Sequence, residues 1–329
     1  MTISAIGRHV SKLSGYAPAL PTPFDAEGAV DTAAFERLCD RQVQMGATAL
    51  VVCGTTGEAP TLQPAEHHIL VRIAVDVARG RVPVIAGAGC NSTAHAIELT
   101  KDAEAGGADA VLSIVPYYNK PVQNGLYAHF RAIAESTGLP IILYDVPSRT
   151  ACALADDTVA RLAEIPNIIG LKDATADISR PAKLKRLVGP DFRLLTGDDA
   201  TALGFMAQGG HGCISVTSNL APGLCRSMFL AHRQGQIAQA QRLADLARQL
   251  TAALFRETSP SPLKYALGLL GLMSPTVRLP LVEPSQQTRT EVAAIVKKMC
   301  DVHPDYMIDK AMRPRNVARE RVAAELQSL

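Results

Sequence analysis

Short apolar runs alternate with longer segments of helical period along most of this chain, and the alternation repeats about eight times. The runs are Ala17 to Leu20, Ala49 to Cys53, Val82 to Ala86, Ala110 to Val115, Ile141 to Val146, Ile168 to Lys172, Arg193 to Thr196 and Gly212 to Val216. Between them lie patterns such as Phe35, Leu38, Cys39 and Val43, spaced i, i+3, i+4, i+8 and stopped at Gly46. Strands that alternate with helices predict a parallel sheet wrapped in helices, and eight such units predict an α/β fold of the (β/α)8 TIM-barrel type. A doubly wound sheet is the competing arrangement. Its dinucleotide signature G-x-G-x-x-G is missing, as is a phosphate loop ending in Gly-Lys-Ser/Thr.

After Ser218 the strands stop. Leu224, Met228 and Phe229, then Leu243, Leu246, Leu250 and Leu254, keep helical spacing until Ser259-Pro260-Ser261-Pro262 interrupts it. Further helices are expected from Leu263 to Leu270 and from Arg289 to Met299, giving a C-terminal helical appendage. The expected division is a barrel over 1–223, a helical region over 224–304 and a charged tail over 305–329. That tail carries Arg313, Arg315, Arg319 and Arg321 around Pro314.

Composition narrows the function classes. With 47% hydrophobic residues among 329, the chain can bury a large core. A net charge of +2 without a basic block argues against nucleic acid as a partner. No segment approaches a membrane span, and Met1 to Gly15 has no apolar core of a signal peptide. The seven cysteines form no C-x-x-C pair, which suits a reducing, cytoplasmic compartment. His67-His68 is not part of an H-E-x-x-H motif, and the other histidines lack ligand spacing, so no metal site is expected. His211, between glycines, reads as a turn residue, and Cys53 and Cys213 as inert core thiols.

Lys172 ends the apolar run Ile168-Ile169-Gly170-Leu171. A cation on a strand this apolar needs a partner or a use for its uncharged form, because burial disfavours charge. One reading pairs Lys172 with Asp173 or lets it reach solvent. The other makes it a nucleophile, whose commonest chemistry is Schiff-base formation with a ketone or aldehyde. In a (β/α)8 barrel the chemistry sits at the C-terminal ends of the strands. Gly54-Thr55-Thr56-Gly57-Glu58, Tyr117-Tyr118-Asn119, Tyr144, Pro147-Ser148-Arg149-Thr150, Lys172, Gly197-Asp198-Asp199 and Ile214 all fall on that face. Singly they admit ordinary explanations: a core phenol at Tyr144, a surface ion pair at Arg149, helix caps at Asp198 or Asp199.

Together these motifs, with Tyr144-Asp145-Val146-Pro147-Ser148-Arg149-Thr150, Gly170-Leu171-Lys172-Asp173-Ala174-Thr175 and Gly212-Cys213-Ile214-Ser215-Val216, resemble the dihydrodipicolinate synthase (4-hydroxy-tetrahydrodipicolinate synthase) family. The likeness runs from about residue 17 to 285, and the wider group includes N-acetylneuraminate lyase and keto-deoxy sugar acid aldolases. The resemblance implies a class I lyase in which Lys172 forms an imine with pyruvate and condenses it with L-aspartate 4-semialdehyde, with no metal or organic cofactor. Tyr144 maps to the central tyrosine of a proton relay that includes Thr55. Tyr118 maps to the tyrosine that completes the relay of a neighbouring subunit. Thr56 maps to a donor for the pyruvate carboxylate, Arg149 to the clamp for the aldehyde's carboxylate, and Gly197 and Ile214 to backbone contacts. A homotetramer built as a dimer of dimers is expected. A lysine-binding interface site is also implied: Asn91, Tyr117 and His67 fit it, whereas Ala59, Pro64 and His95 depart from it.

Other departures bear on the second substrate. Asp145 stands where asparagine is common, Ala151 where glycine follows the threonine, and Ala174-Thr175-Ala176 where Ala-Thr-Gly is usual. The alternatives are a related 2-keto acid or sugar-acid aldolase or dehydratase and, in a different class, a non-catalytic barrel used for binding or assembly.

Overall fold

The computed structural model describes residues 13–307. The arginines at 313, 315, 319 and 321 therefore lie outside the described residues. All eight expected strands are present, with no boundary displaced by more than two residues: β1 (Gly15–Pro18), β2 (Leu50–Val52), β3 (Val84–Gly87), β4 (Ala110–Ile114), β5 (Ile141–Asp145), β6 (Ile168–Asp173), β7 (Arg193–Thr196) and β8 (Gly212–Ser215). They are all parallel and pair in the order β1-β8-β7-β6-β5-β4-β3-β2. The two ends of that order meet, because Ala19 bridges Val51 and the Leu20 N–H donates to the Val51 carbonyl at 2.8 Å. The sheet is a closed barrel, so no strand edge is left unpaired.

Alternation along the strands sorts the side chains into two cores. Ala17, Val51, Ile85, Leu112, Ile142, Tyr144, Leu195 and Ile214 point inward and pack as one cluster. Their neighbours, among them Leu50, Val52, Val111, Leu143, Leu171 and Leu194, face outward and join the apolar sides of the helices. Both faces are buried, which explains why the strands read as continuous apolar runs. The helix Thr32–Gln44 shows how the outer ring is cut to length. Its first turn is capped by the Asp31 carboxylate, which accepts from the Ala34 N–H at 2.9 Å, and the chain turns away at Gly46 with φ +86°.

After β8 the chain is helical: Thr217–Leu220, Pro222–Arg233, Ile237–Leu254, Ser261–Leu269, Gln286–Val302 and Pro304–Met307. Pro222–Arg233 packs on β1 and so continues the outer ring, and the expected division at 223/224 falls inside it. Pro262 interrupts the helical pattern as expected, but it does so by opening the next helix, where a missing N–H costs nothing. None of the helices among the described residues is long and apolar enough to cross a membrane.

Barrel closure depends on a bare backbone at Gly212. A Cβ there would lie 2.0 Å from the Gly15 carbonyl oxygen and 2.5 Å from its nitrogen. Gly212→Ala is expected to lower stability by about 3 kcal/mol, the upper part of the usual range for overpacking. Gly189→Ala, where a Cβ meets nothing within 4 Å, should stay within about 0.5 kcal/mol of the parent. Urea denaturation midpoints of the two variants check the contrast, and equal midpoints would contradict it.

Candidate active site

Pairing between β5 and β6 sets Tyr144 beside Lys172 and Asp145 beside Asp173. The first pair points into the barrel and the second points out. Lys172 is 6% exposed, and its Nζ sits 4.0 Å from the centroid of the Tyr144 ring. No carboxylate among the described residues forms an ion pair with that nitrogen. Asp173, the partner one reading of the sequence offered, is engaged elsewhere. Arg180 Nη1 lies 2.8 Å from Asp145 Oδ2 and 3.3 Å from Asp173 Oδ2, its Nε lies 2.9 Å from Asp156 Oδ1, and Nη2 donates to the Leu154 carbonyl. Burial opposes the charge on Arg180, yet the two aspartates hold its pKa above the ordinary value. Burial also pushes the Asp145 carboxyl up, with Arg180 pulling the other way.

Gly197 gives the lysine room. A Cβ on Gly197 would lie 2.8 Å from Lys172 Cε and 3.0 Å from Ala174 Cβ, so glycine leaves the lysine its present course past the end of β7. Ile214 is buried in the inner cluster with Tyr144 and Leu195. Asp199 does not cap its own helix. Its carboxylate reaches across to β8 and accepts from Ser215 Oγ and from the Val216 and Thr217 N–H groups at 2.8 and 3.1 Å. Asp198 does act locally, accepting from the Ala200 N–H and Thr201 Oγ1.

The turn after β2 carries Thr55 and Thr56. Two non-glycine residues in the left-handed region bracket it, Cys53 at φ +53° and Glu58 at φ +56°. The Glu58 N–H donates to the Thr55 carbonyl at 3.1 Å, the Ala59 N–H to Gly54 at 3.2 Å, and Thr22 Oγ1 to Gly57 at 2.7 Å. Gly87 of β3 makes space for the turn, since a Cβ there would be 2.2 Å from the Cys53 carbonyl oxygen. Glu58 is buried, with Oε1 2.6 Å from Lys264 Nζ and Oε2 accepting from the Arg278 N–H at 3.0 Å. Burial pulls Lys264 down to about 8 against the opposite pull of Glu58. Sequence reasoning missed Lys264 and Arg278. The signal for Lys264 was the same as for Lys172, a lysine within an apolar run, Pro262 to Leu267.

A cavity of about 500 Å³ opens beside these elements, lined by Thr55, Tyr117, Tyr144 and Arg149 and, further along, by Ala59, Pro64, His67, Cys90 and His95. Thr56 is buried next to it. Arg149 stands on the short helix Pro147–Thr150, with Nη2 3.4 Å from the Ser259 carbonyl. The fold does not bring Tyr118 into the cavity of its own chain: it is 89% exposed, at φ +72°. Ala151 and Ala176, where glycine was expected, also adopt positive φ, +53° and +64°. His67 Nε2 donates to the Gly87 carbonyl at 2.8 Å, its Nδ1 lies 3.3 Å from Asp102 Oδ2, and His68 shares Asp102 through Oδ1. No three His, Cys, Asp or Glu among the described residues are grouped to hold a metal. His211 Nδ1 accepts from the Leu194 N–H, and burial lowers its pKa, as suits a turn residue. Burial pushes the Cys53 and Cys213 thiols up, away from reactivity.

The arrangement is an inward-facing amine against a phenol, with hydroxyls and a guanidinium around an adjoining cavity. It is suited to imine formation and proton transfer at a carbonyl compound that bears carboxylates. Comparison with known proteins agrees. The 4-hydroxy-tetrahydrodipicolinate synthase of Rhodospirillum centenum is 51% identical over 280 residues, 85% of this chain and 96% of that protein. The crystal structure of a dihydrodipicolinate synthase from Bacillus anthracis superimposes with a TM-score of 0.85 at 43% identity, over 86% of this chain and 97% of that one. That of the Acinetobacter baumannii dihydrodipicolinate synthase, complexed with pyruvate, gives 0.84 at 43% identity, over 86% and 98%. Residues 12–299 match the dihydrodipicolinate synthetase family, and with these relatives and this site the chain belongs to that family.

Proposed function

We propose that the chain condenses pyruvate with L-aspartate 4-semialdehyde to 4-hydroxy-tetrahydrodipicolinate, a step towards diaminopimelate and lysine. The observation that carries this reading is the buried Lys172 amine against the Tyr144 ring, with no counter-ion among the described residues. Relatives about half identical to the chain bear the name of that activity, and one solved neighbour holds pyruvate. Lys172 attacks the pyruvate ketone, and loss of water gives an iminium that withdraws electrons from the adjacent methyl. Removal of a methyl proton yields the enamine, which attacks the aldehyde carbon of the semialdehyde. The semialdehyde's amino group then displaces Lys172 and closes the ring, so the net change is loss of water. The imine supplies the electron sink, and no metal or organic cofactor enters.

The site roles follow the positions. Tyr144 moves protons to and from the carbinolamine and the reacting carbon, with Thr55 next in the relay. Thr56 and the N–H groups of its turn receive the pyruvate carboxylate. Gly197 and Ile214 offer backbone contacts near it. Arg149 clamps the carboxylate of the second substrate and separates this reading from a sugar-acid aldolase. A large aromatic at 89% exposure in a left-handed backbone conformation fits a residue that completes another subunit's site, so Tyr118 is assigned to the neighbour's relay. Two dimers of this kind would make the homotetramer. Seven cysteines without a C-x-x-C pair favour the cytoplasm. The cavity stretch with Ala59, Pro64 and His95 lacks a carboxylate to hold a cationic ligand, which favours weak or absent inhibition by lysine.

Incubation with pyruvate and borohydride is expected to add the mass of one reduced adduct per chain, located at Lys172 and lost in Lys172→Ala. An unchanged mass at saturating pyruvate would remove the Schiff-base reading. Arg149→Ala should keep the adduct but lower kcat/KM for the semialdehyde by about 30- to 800-fold, the kinetic equivalent of about 2–4 kcal/mol for a lost charge-assisted contact. Equal activity would point to a different aldehyde. Mixing inactive Tyr118→Phe and Tyr144→Phe chains under subunit exchange should recover activity, since one of the mixed sites regains both hydroxyls. Full activity from a monomer would contradict the shared relay.

A further inference from the structure

We propose that Glu58 and Lys264 are a positioning pair for catalysis, a buried ion pair through which the C-terminal helices set the Thr55–Thr56 turn to receive the substrate carboxylate. The proposal rests on the reading of Thr55 and Thr56 as carboxylate donors. Lys264 is 0% and Glu58 2% exposed, and their 2.6 Å contact joins residues that are 206 apart in sequence. A pair so deeply buried gains little net stability, because desolvation offsets the attraction. What it does supply is a fixed position for one carboxylate.

That position matters because the turn is bracketed by strained backbone. Its bracketing residues, Cys53 and Glu58, both sit at positive φ, a conformation that side-chain-bearing residues keep only under external restraint. Restraint at Glu58 passes directly to Thr55, whose carbonyl accepts the Glu58 N–H, and Thr56 lies between the two. The other end of the restraint is itself fixed. Lys264 Nζ and Arg278 Cζ each lie 4.2 Å from the centroid of the Phe24 ring. Arg278 also grips Glu66 through two contacts of 2.6 and 2.7 Å, donates to the Gly28 and Thr61 carbonyls, and gives its own N–H to Glu58 Oε2. None of Glu58, Lys264 and Arg278 lines the cavity, so they act through the turn and not by touching substrate.

The full-length enzyme carrying Lys264→Met, Glu58→Gln or both tests this, by steady-state kinetics for pyruvate, borohydride trapping and thermal melting. Lys264→Met is expected to raise KM for pyruvate about tenfold or more, since small misplacements of binding groups are costly. Trapping at saturating pyruvate should still reach one adduct per chain. Glu58→Gln should raise KM by a smaller factor, and the double variant, which buries no unpaired charge, should return towards the parent value and fall short of the product of the single effects. A merely structural pair would lower the melting temperature and leave KM of the folded enzyme unchanged. That outcome, in Glu58→Gln if Lys264→Met does not fold, overturns the positioning role while leaving the Lys172 chemistry intact. Absence of trapping in the parent enzyme would remove both.

Discussion

A buried amine with no counter-ion among the described residues is the constraint on which the rest of the site depends. Lys172 lies in the barrel interior without a carboxylate beside it among the described residues, because the nearest ones, Asp145 and Asp173, point to the outer face of the same two strands and are bound there by Arg180. The Tyr144 ring offers its face to Nζ, and Gly197 leaves the space through which the lysine's aliphatic chain passes. Each of these features would be a local oddity by itself. Together they keep one nitrogen free of competing carboxylates among the described residues, as the proposed attack on a ketone requires.

The second buried lysine makes the contrast clear. Lys264 and Lys172 both interrupt apolar runs, and both end up within reach of an aromatic face. Lys264 has Glu58 at 2.6 Å, whereas Lys172 has no such carboxylate among the described residues. In the proposed reading the paired lysine carries structure into the turn and Lys172 carries the chemistry. Apolar flanks alone identify the cost of burial; the partner decides what that burial is for.

Most of the barrel was legible because its strands are buried on both faces and its helices on one, which leaves two different periods in the sequence. The residues at strand ends were legible for the same reason: position along a strand places a side chain at the mouth of the barrel. Long-range polar pairing was not. Nothing near Glu58 indicates Lys264, nothing near Asp145 indicates Arg180 35 residues later, and Asp199 looked like a helix cap before it proved to tie β7 to β8. Such contacts depend on which loops the closed barrel brings together, and a local pattern holds no record of that. The alanines at 151 and 176 were noticed as departures, yet their positive φ shows that the backbone kept the shape that glycine would favour.

The pairing of β5 with β6 has a consequence for the sign of the charge that the barrel shows its contents. An amine and two carboxylates sit on neighbouring positions here: Tyr144 and Lys172 face inward, and Asp145 and Asp173 face outward one step along. Because side chains alternate strictly, a slip of one residue in both strands would exchange them, withdrawing the amine and presenting two carboxylates to an anionic 2-oxo acid. Strand register in this wall is therefore an electrostatic instruction as well as a packing one. The buried guanidinium of Arg180, which only the native register can satisfy with both aspartates, ties correct folding to a hospitable interior for a negatively charged guest.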